Sequence, residues 1–320
     1  MRALVYTDTL QLRTDVSQPE PKPDQALLRI RKAGVCNTDL ELMAGYYNFK
    51  GIPGHEFVAD VVSGSQPDML GRRVVGEINV ACGECDFCRR GIPTQCRNRA
   101  SVGIRRHDGA FADYLALAAR NLHVVPDEVS DDEAVFTEPL AAALQILEMV
   151  HVKPSDRVVL IGAGKLGMLC AQVLRQTTAH LVCVIRREKQ AKMLNRWGID
   201  AVSRSEVADG SAQIVVDCTG NAGGIAEAIH MVEPRGTIVL KSTYVGRPEV
   251  DLSWVAVKEL HVVGSRCGPF DAALRLLKEG RVDVLSMIEA RYSLDEGVSA
   301  IEHAADAGRL KVLIEMQSAG

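Results

Sequence analysis

Residues 158–161 read Val-Val-Leu-Ile and run without a break into Gly162-Ala163-Gly164-Lys165-Leu166-Gly167. An apolar stretch of helical period, 166–176, follows. A strand that enters a glycine-rich turn and leaves as a helix opens a crossover unit, and it narrows the fold more than any other feature of this chain. Gly162 allows the tight turn, Gly164 lets backbone approach a phosphate, and Gly167 lets helix and strand pack closely. Lys165 and Leu166 stand in the helix's first turn, where free N–H groups favour a pyrophosphate. A glycine turn that binds nothing would carry the same letters; the strand before it and the helix after it favour the binding reading.

The rest of the chain extends this pattern. After about residue 131, helix candidates (134–150, 166–176, 189–197, 224–232) alternate with strand candidates (157–161, 181–185, 214–217, 237–240), which predicts an α/β, doubly wound parallel sheet. Before residue 126 the segments are short and strand-like, at 26–30, 57–62, 73–75 and 122–125, and are punctuated by Gly and Pro. Helices at 270–279 and 294–307 and a strand at 311–315 close the chain. The division predicted is a mostly-β domain made of 1–139 and 268–320, and a dinucleotide-binding domain at 140–267.

Charge excludes some partners. The net charge of −4 is spread without a basic block, which argues against nucleic acid or an anionic membrane surface. Residues 1–15 hold no apolar leader and no span is long enough to cross a bilayer, so the expectation is a cytoplasmic protein. In that compartment the nine cysteines are metal ligands or buried thiols rather than disulfides.

Four of those cysteines are grouped: Cys82, Cys85, Cys88 and Cys96. Four thiolates at this spacing surround one tetrahedral Zn²⁺ with no open position, a structural site. An iron–sulfur cluster uses the same residue type and stays open at this stage. A zinc ribbon that reads nucleic acid would need a more basic surround. A second charge signal lies after strand candidate 181–185. Dinucleotide folds often place an acid there for the adenosine ribose; this chain has Arg186-Arg187, which favours a 2′-phosphate and hence NADP(H) over NAD(H). The competing reading has the arginines solvating a strand end while Glu188 reaches the ribose.

Taken in order, Gly34-Val35-Cys36-Asn37-Thr38-Asp39, Gly54-His55-Glu56, the four-cysteine lobe, Gly109-Ala110-Phe111-Ala112-Asp113-Tyr114, Glu138-Pro139-Leu140 and the glycine loop resemble the zinc-containing medium-chain dehydrogenases, the family of alcohol, sorbitol and threonine dehydrogenases. The resemblance covers essentially the whole chain. It implies a GroES-like catalytic domain beside a Rossmann cofactor domain and two zinc ions per chain. It also implies hydride transfer between an alcohol or polyol, or the matching aldehyde or ketone, and a nicotinamide cofactor. Relatives associate through the cofactor domain's edge strand, so a homodimer or homotetramer is expected, with 242–250 and 260–263 as candidate edges.

The resemblance also implies roles. Cys36 and His55 match the catalytic zinc ligands, with Glu56 a ligand of the resting metal or close behind it. Glu138 belongs to the zinc shell directly or through water. Thr38 matches the hydroxyl that carries the proton away, and Glu41 stands where many relatives continue that relay with histidine. Independently of the resemblance, Asp217, Cys218, Thr219 and Gly220 end a strand candidate at the carboxyl edge of the sheet, where the nicotinamide is expected, with Lys241 to Thr243 after the next strand; Cys218 reads equally as core. Arg266 matches an arginine near cofactor and substrate, although Cys267 replaces the aromatic that follows it in polyol dehydrogenases. Tyr46, Tyr47 and Phe49 are candidate walls of the substrate cleft. Two other readings are a threonine-type dehydrogenase of amino alcohols and a non-catalytic NADP(H)-binding protein on the same scaffold.

Overall fold

A computed structural model describes residues 1–64, 66–244 and 246–316. The chain divides into two compact units, Met1–Glu138 with Phe270–Gly320, and Pro139–Pro269. No helix among the described residues is long and apolar enough to cross a membrane.

In the second unit, residues 158–161 of the strand Arg157–Ile161 are all buried, as their unbroken apolar run requires of a central parallel strand. The strand is one of six parallel strands in the order Asp200–Val202, His180–Val184, Arg157–Ile161, Ala212–Asp217, Val232–Leu240, His261–Gly264. Counted along the chain this is 3-2-1-4-5-6, and the order reverses between Arg157–Ile161 and Ala212–Asp217. Ligands of open α/β sheets bind at such a point, outside the carboxyl ends of the strands. The glycine loop lies there: Gly162 has φ +93°, and a Cβ on Gly167 would stand 1.9 Å from Gly162 O. Only glycine fits either position. The helix Lys165–Arg175 starts directly from the turn.

The first unit is built on a sheet of seven strands. Its path runs Ile288–Ser293, Lys311–Glu315, Gln25–Gly34, Glu56–Gly64, Arg73–Gly76, Leu122–Val124, and Tyr114–Ala118 also pairs with Gln25–Gly34. Only the first pair is parallel. The core beneath holds Leu4, Leu28, Val35, Phe57, Phe111, Leu117 and Ile314, all of them buried. The register sets Gly34 opposite Glu56 on one side and Leu313 on the other. The last strand, though far away in sequence, is thereby placed beside Glu56.

Two elements depart from the sequence reading. The helix expected over 134–150 is broken into Asp131–Ala134 and Thr137–Met149. A continuous helix would put Pro139 in its interior, against the carbonyl of Val135; restarting at Thr137 moves Pro139 into the first turn, where a missing N–H costs nothing. At the sheet's edge, His261–Gly264 takes the place expected of 260–263. The other candidate edge, 242–250, holds no strand among its described residues, and Val245 lies outside them.

Candidate metal centres and cofactor site

Cys36 caps the helix Asn37–Met43, and His55 and Glu56 stand where the strand Glu56–Gly64 begins. One ligand atom from each of Cys36, His55 and Glu56 lies within 4.8 Å of the other two. His55 and Glu56 are buried, and Cys36 is half-buried. Asp39, fully buried one turn into the helix, ties this group together. Its Oδ2 accepts the N–H of Cys36 at 2.9 Å, and its Oδ1 accepts that of Gly54 at 3.2 Å. The same Oδ1 faces the buried His55 Nδ1 at 3.3 Å. Burial works to lower the His55 pKa, but the facing Asp39 and Cys36 outweigh it and raise the pKa well above that of a free histidine. The pocket is electronegative and favours a cation. Thiolate, imidazole and carboxylate are donors that suit Zn²⁺, and a carboxylate behind a ligating histidine is its usual support.

Thr38 Oγ1 is 3.6 Å from Cys36 Sγ, and Glu41 is half-buried on the same helix. Glu138 is half-buried in the first turn of Thr137–Met149 and is not part of the three-residue group. The residue that does meet Glu56 is Lys311, whose Nζ donates to Oε2, with both side chains buried. The ammonium also lies over the Phe136 ring, 5.3 Å from its centroid. A Cβ on Gly34 would stand 2.6 Å from Glu56 Oε2 and 3.3 Å from Lys311 Cδ, so this pair crosses the sheet over a position that must lack a side chain. Sequence reasoning missed both Asp39 and Lys311 as site residues. The i+3 spacing of Asp39 from Cys36 was available; a lysine opening the apolar run Lys311-Val-Leu-Ile was the only sign of the other.

In the second cluster, Cys82, Cys85, Cys88 and Cys96 also lie within 4.8 Å of one another. Their Sγ atoms are separated by 3.5 Å (Cys85 and Cys88), 3.8 Å (Cys85 and Cys96) and 3.4 Å (Cys96 and Cys82). Four Zn–S bonds of about 2.3 Å define a tetrahedron with edges of about 3.8 Å. These separations fit one ion, are too long for disulfides, and leave no room for the several iron and sulfide atoms of a cluster. Backbone N–H groups of Cys88 and Arg97 aimed at the Cys85 sulfur lower its pKa to about 6. Desolvation and the neighbouring Cys85 push Cys88 up to about 12.

At the cofactor loop, a Cβ on Gly164 would meet nothing within 4 Å. The exposed backbone there faces open space, ahead of Lys165 and Leu166, which are half-buried in the helix's first turn. Across the switch point, Cys218 N–H donates to Ile161 O at 2.9 Å. Thr219 N–H reaches Asp217 Oδ1 at 2.9 Å and Gly220 N–H reaches Ser242 Oγ at 2.8 Å. The Thr219–Gly220 turn is therefore fixed beside the glycine loop. Lys241 is buried, donating to Ala142 O at 2.5 Å and Ser265 Oγ at 3.1 Å. Arg186 and Arg187 are exposed just beyond His180–Val184, and among the described residues neither forms an ion pair. Glu188 instead takes Lys192 at 2.8 Å. Arg266 is exposed after the last strand, its Nη1 donating to Cys267 Sγ at 3.4 Å.

Known proteins share this organisation. Residues 22–127 match the family described as alcohol dehydrogenase GroES-like domain, and residues 166–279 match that described as zinc-binding dehydrogenase. The chain is similar to L-threonine 3-dehydrogenase of Vibrio parahaemolyticus, 30% identical over 78% of this chain and 79% of that protein. It is also similar to D-arabitol-phosphate dehydrogenase of Enterococcus avium, 25% identical over 94% of this chain and 92% of the other. The crystal structure of a zinc-binding dehydrogenase from Sinorhizobium meliloti bound to NADP is 28% identical, covers 98% of each chain and has a TM-score of 0.89.

Proposed function

The chain belongs to the zinc-containing medium-chain alcohol dehydrogenases, and we propose that it is an NADP(H)-preferring member acting on an alcohol or polyol, or on the matching carbonyl. The observation that carries this reading is the convergence of ligand atoms of Cys36, His55 and Glu56 to within 4.8 Å of one another. These three residues would hold the catalytic ion, and the four-cysteine lobe a second, structural one. When bound, the catalytic ion supplies a Lewis acid that makes a hydroxyl easier to ionise or a carbonyl more electrophilic. Glu138 stands outside the three-residue group, and we assign it no direct bond to the ion.

The chain's own residues do the rest. Asp39 fixes the backbone of Cys36 and Gly54 and faces the His55 ring, which keeps the donor set oriented without substrate. Thr38 is placed beside Cys36 to receive the substrate's proton, and Glu41, on the same helix, is the candidate to pass it to solvent. In the second unit, Gly162 to Gly167 take the pyrophosphate on backbone N–H groups. The Cys218–Thr219–Gly220 turn, fixed beside the glycine loop, is our candidate for the nicotinamide end of that crevice, and Arg266 our candidate for a cation serving cofactor and substrate. Among the described residues Arg186 and Arg187 meet no carboxylate, and they suit a 2′-phosphate. The NADP carried by the Sinorhizobium meliloti protein favours the same choice.

The L-threonine 3-dehydrogenase likeness makes an amino alcohol the second substrate class to test. For association, the edge strand His261–Gly264 with exposed Val262, Trp254 and Val257 is the surface we assign to a homodimer contact. The deciding experiment loads the protein with zinc and follows absorbance at the reduced-nicotinamide band with NADP⁺ and a panel of polyols and threonine. NADPH formation with a polyol, lost in Cys36→Ser, is the expected result. Cofactor binding without turnover of any substrate in either direction would leave the non-catalytic reading standing instead.

A further inference from the structure

We propose that Arg105 and Arg106 form an anion-binding end of the substrate site, so that the substrate is a polyol carrying a phosphate ester or a carboxylate. The inference rests on the dehydrogenase reading above and names the substrate class within it. Its starting point is where the loop 103–109 is fastened. Gly109 N–H donates to Ile52 O at 2.7 Å, Ala110 N–H to Gly54 O at 2.9 Å and Phe111 N–H to Pro53 O at 3.0 Å. Ile52 N–H is taken by Asp108 Oδ1 at 3.0 Å. A Cβ on Gly109 would stand 2.2 Å from Gly54 O. The loop is thus held in contact with the residues that lead directly into His55.

Its arginines are unspent. Arg2, Arg29, Arg31, Arg73, Arg291 and Arg309 of the same unit each meet a carboxylate. Arg105 is half-buried and Arg106 exposed, and among the described residues neither has an acidic partner. Asp108, the nearest acid in sequence, is engaged with Ile52. Arg105 does have a rest: its guanidinium carbon lies 5.8 Å from the centroid of Tyr47, in the segment between Cys36 and His55. The Tyr47 ring is itself set against Tyr46, centroids 4.2 Å apart. Seating on a ring face pre-orders a guanidinium while leaving its planar fork of donors free, the arrangement suited to bidentate recognition of phosphate or carboxylate. Arg72, Arg89, Arg275 and Arg281 of this unit likewise meet no carboxylate among the described residues; what distinguishes Arg105 is its seat on Tyr47, in a loop fastened to the residues that lead into His55.

The test compares binding, which does not depend on turnover. Calorimetry on the zinc- and NADP⁺-loaded protein would titrate D-glucitol, D-glucitol 6-phosphate and D-gluconate. At least one anion should bind about tenfold or more tighter than the neutral polyol, a difference of roughly 1.4 kcal/mol. The two anions separate phosphate from carboxylate as the source. Arg105→Gln should collapse that preference and Arg105→Lys should keep part of it, with NADPH binding in the other unit as the check on folding. If Arg105→Gln does not fold, Arg106→Gln and Tyr47→Leu should each reduce the preference. Equal binding of neutral and charged polyols, binding of none, or a preference that survives all these variants would overturn the proposal. Failure of the dehydrogenase reading is separate: it would appear as anion-selective binding with no NADPH produced.

Discussion

Lys311 and Glu56 form an ion pair sealed from solvent, 2% and 1% exposed, although 255 residues separate them in sequence. They arise from the two strands that flank Gln25–Gly34, and they meet above Gly34. Two charges taken out of water repay their desolvation only when each has the other. In the zinc-free protein, removing one leaves the survivor buried and uncompensated.

Lys311→Met is therefore expected to destabilise the first unit by about 3–5 kcal/mol, the usual cost of breaking a buried pair. Lys311→Met with Glu56→Gln should recover part of that loss, because the stranded carboxylate is gone. Urea unfolding of both variants and the parent measures it. Equal stability of parent and Lys311→Met would show that the pair does not hold this sheet together.

The contrast between this pair and the glycine loop shows what was legible in the sequence. The strand Arg157–Ile161 and the last strand, Lys311–Glu315, have the bounds their apolar runs predict, since both are short, continuous and punctuated. The glycine loop was readable because each glycine answers a local steric demand. The helix start at Thr137 was less so: Pro139 fits a first turn as well as it breaks an interior, and Val135 and Phe136 look equally helical. Lys311 was hidden for a different reason. Its partner is fixed by the sheet register through Gly34, and no local period carries a long-range register.

The four-cysteine lobe has little else to hold it, being two short paired strands, a single helical turn and glycine turns. Its folding energy should come largely from the ion. Cys85→Ser is expected to drop zinc from two to one per chain by plasma emission spectrometry. The Tm should fall by at least roughly 5 °C, since each kcal/mol is worth about 2–4 °C in domains of this size. A variant that keeps both ions and its full Tm would remove the structural role.

His123 gives the first unit a pH-dependent contact. Its Nδ1 is 2.7 Å from Asp271 and its Nε2 3.1 Å from Glu77, with the ring stacked on Phe270 at 5.2 Å. Burial works to lower its pKa, but Glu77 and Asp271 outweigh burial and raise it. A raised folded-state pKa contributes stability that is fully present below the unfolded value, about 6.5, and is lost as pH rises through the folded value. The stability advantage of the parent over His123→Gln should thus shrink steadily between pH 6 and pH 9. Because Asp271 is largely exposed, the effect should weaken in high salt. An advantage that stays flat or grows with pH would mean that packing on Phe270, not charge, is what His123 supplies.

On the proposed NADP(H) reading, cofactor choice would turn on two exposed side chains, Arg186 and Arg187. Glu188, the acid that the competing reading assigns to the ribose, pairs with Lys192, while Arg186 and Arg187 meet no carboxylate among the described residues. A guanidinium facing a 2′-phosphate gains a charge-assisted bond that NADH cannot offer. Fluorescence titration should show NADPH binding at least about tenfold tighter than NADH, roughly 1.4 kcal/mol. Arg186→Gln with Arg187→Gln should erase that gap by weakening NADPH, with NADH affinity changing far less. Equal loss for both cofactors would assign the arginines to the shared part of the dinucleotide, and a parent that binds NADH as tightly as NADPH would return the ribose to Glu188.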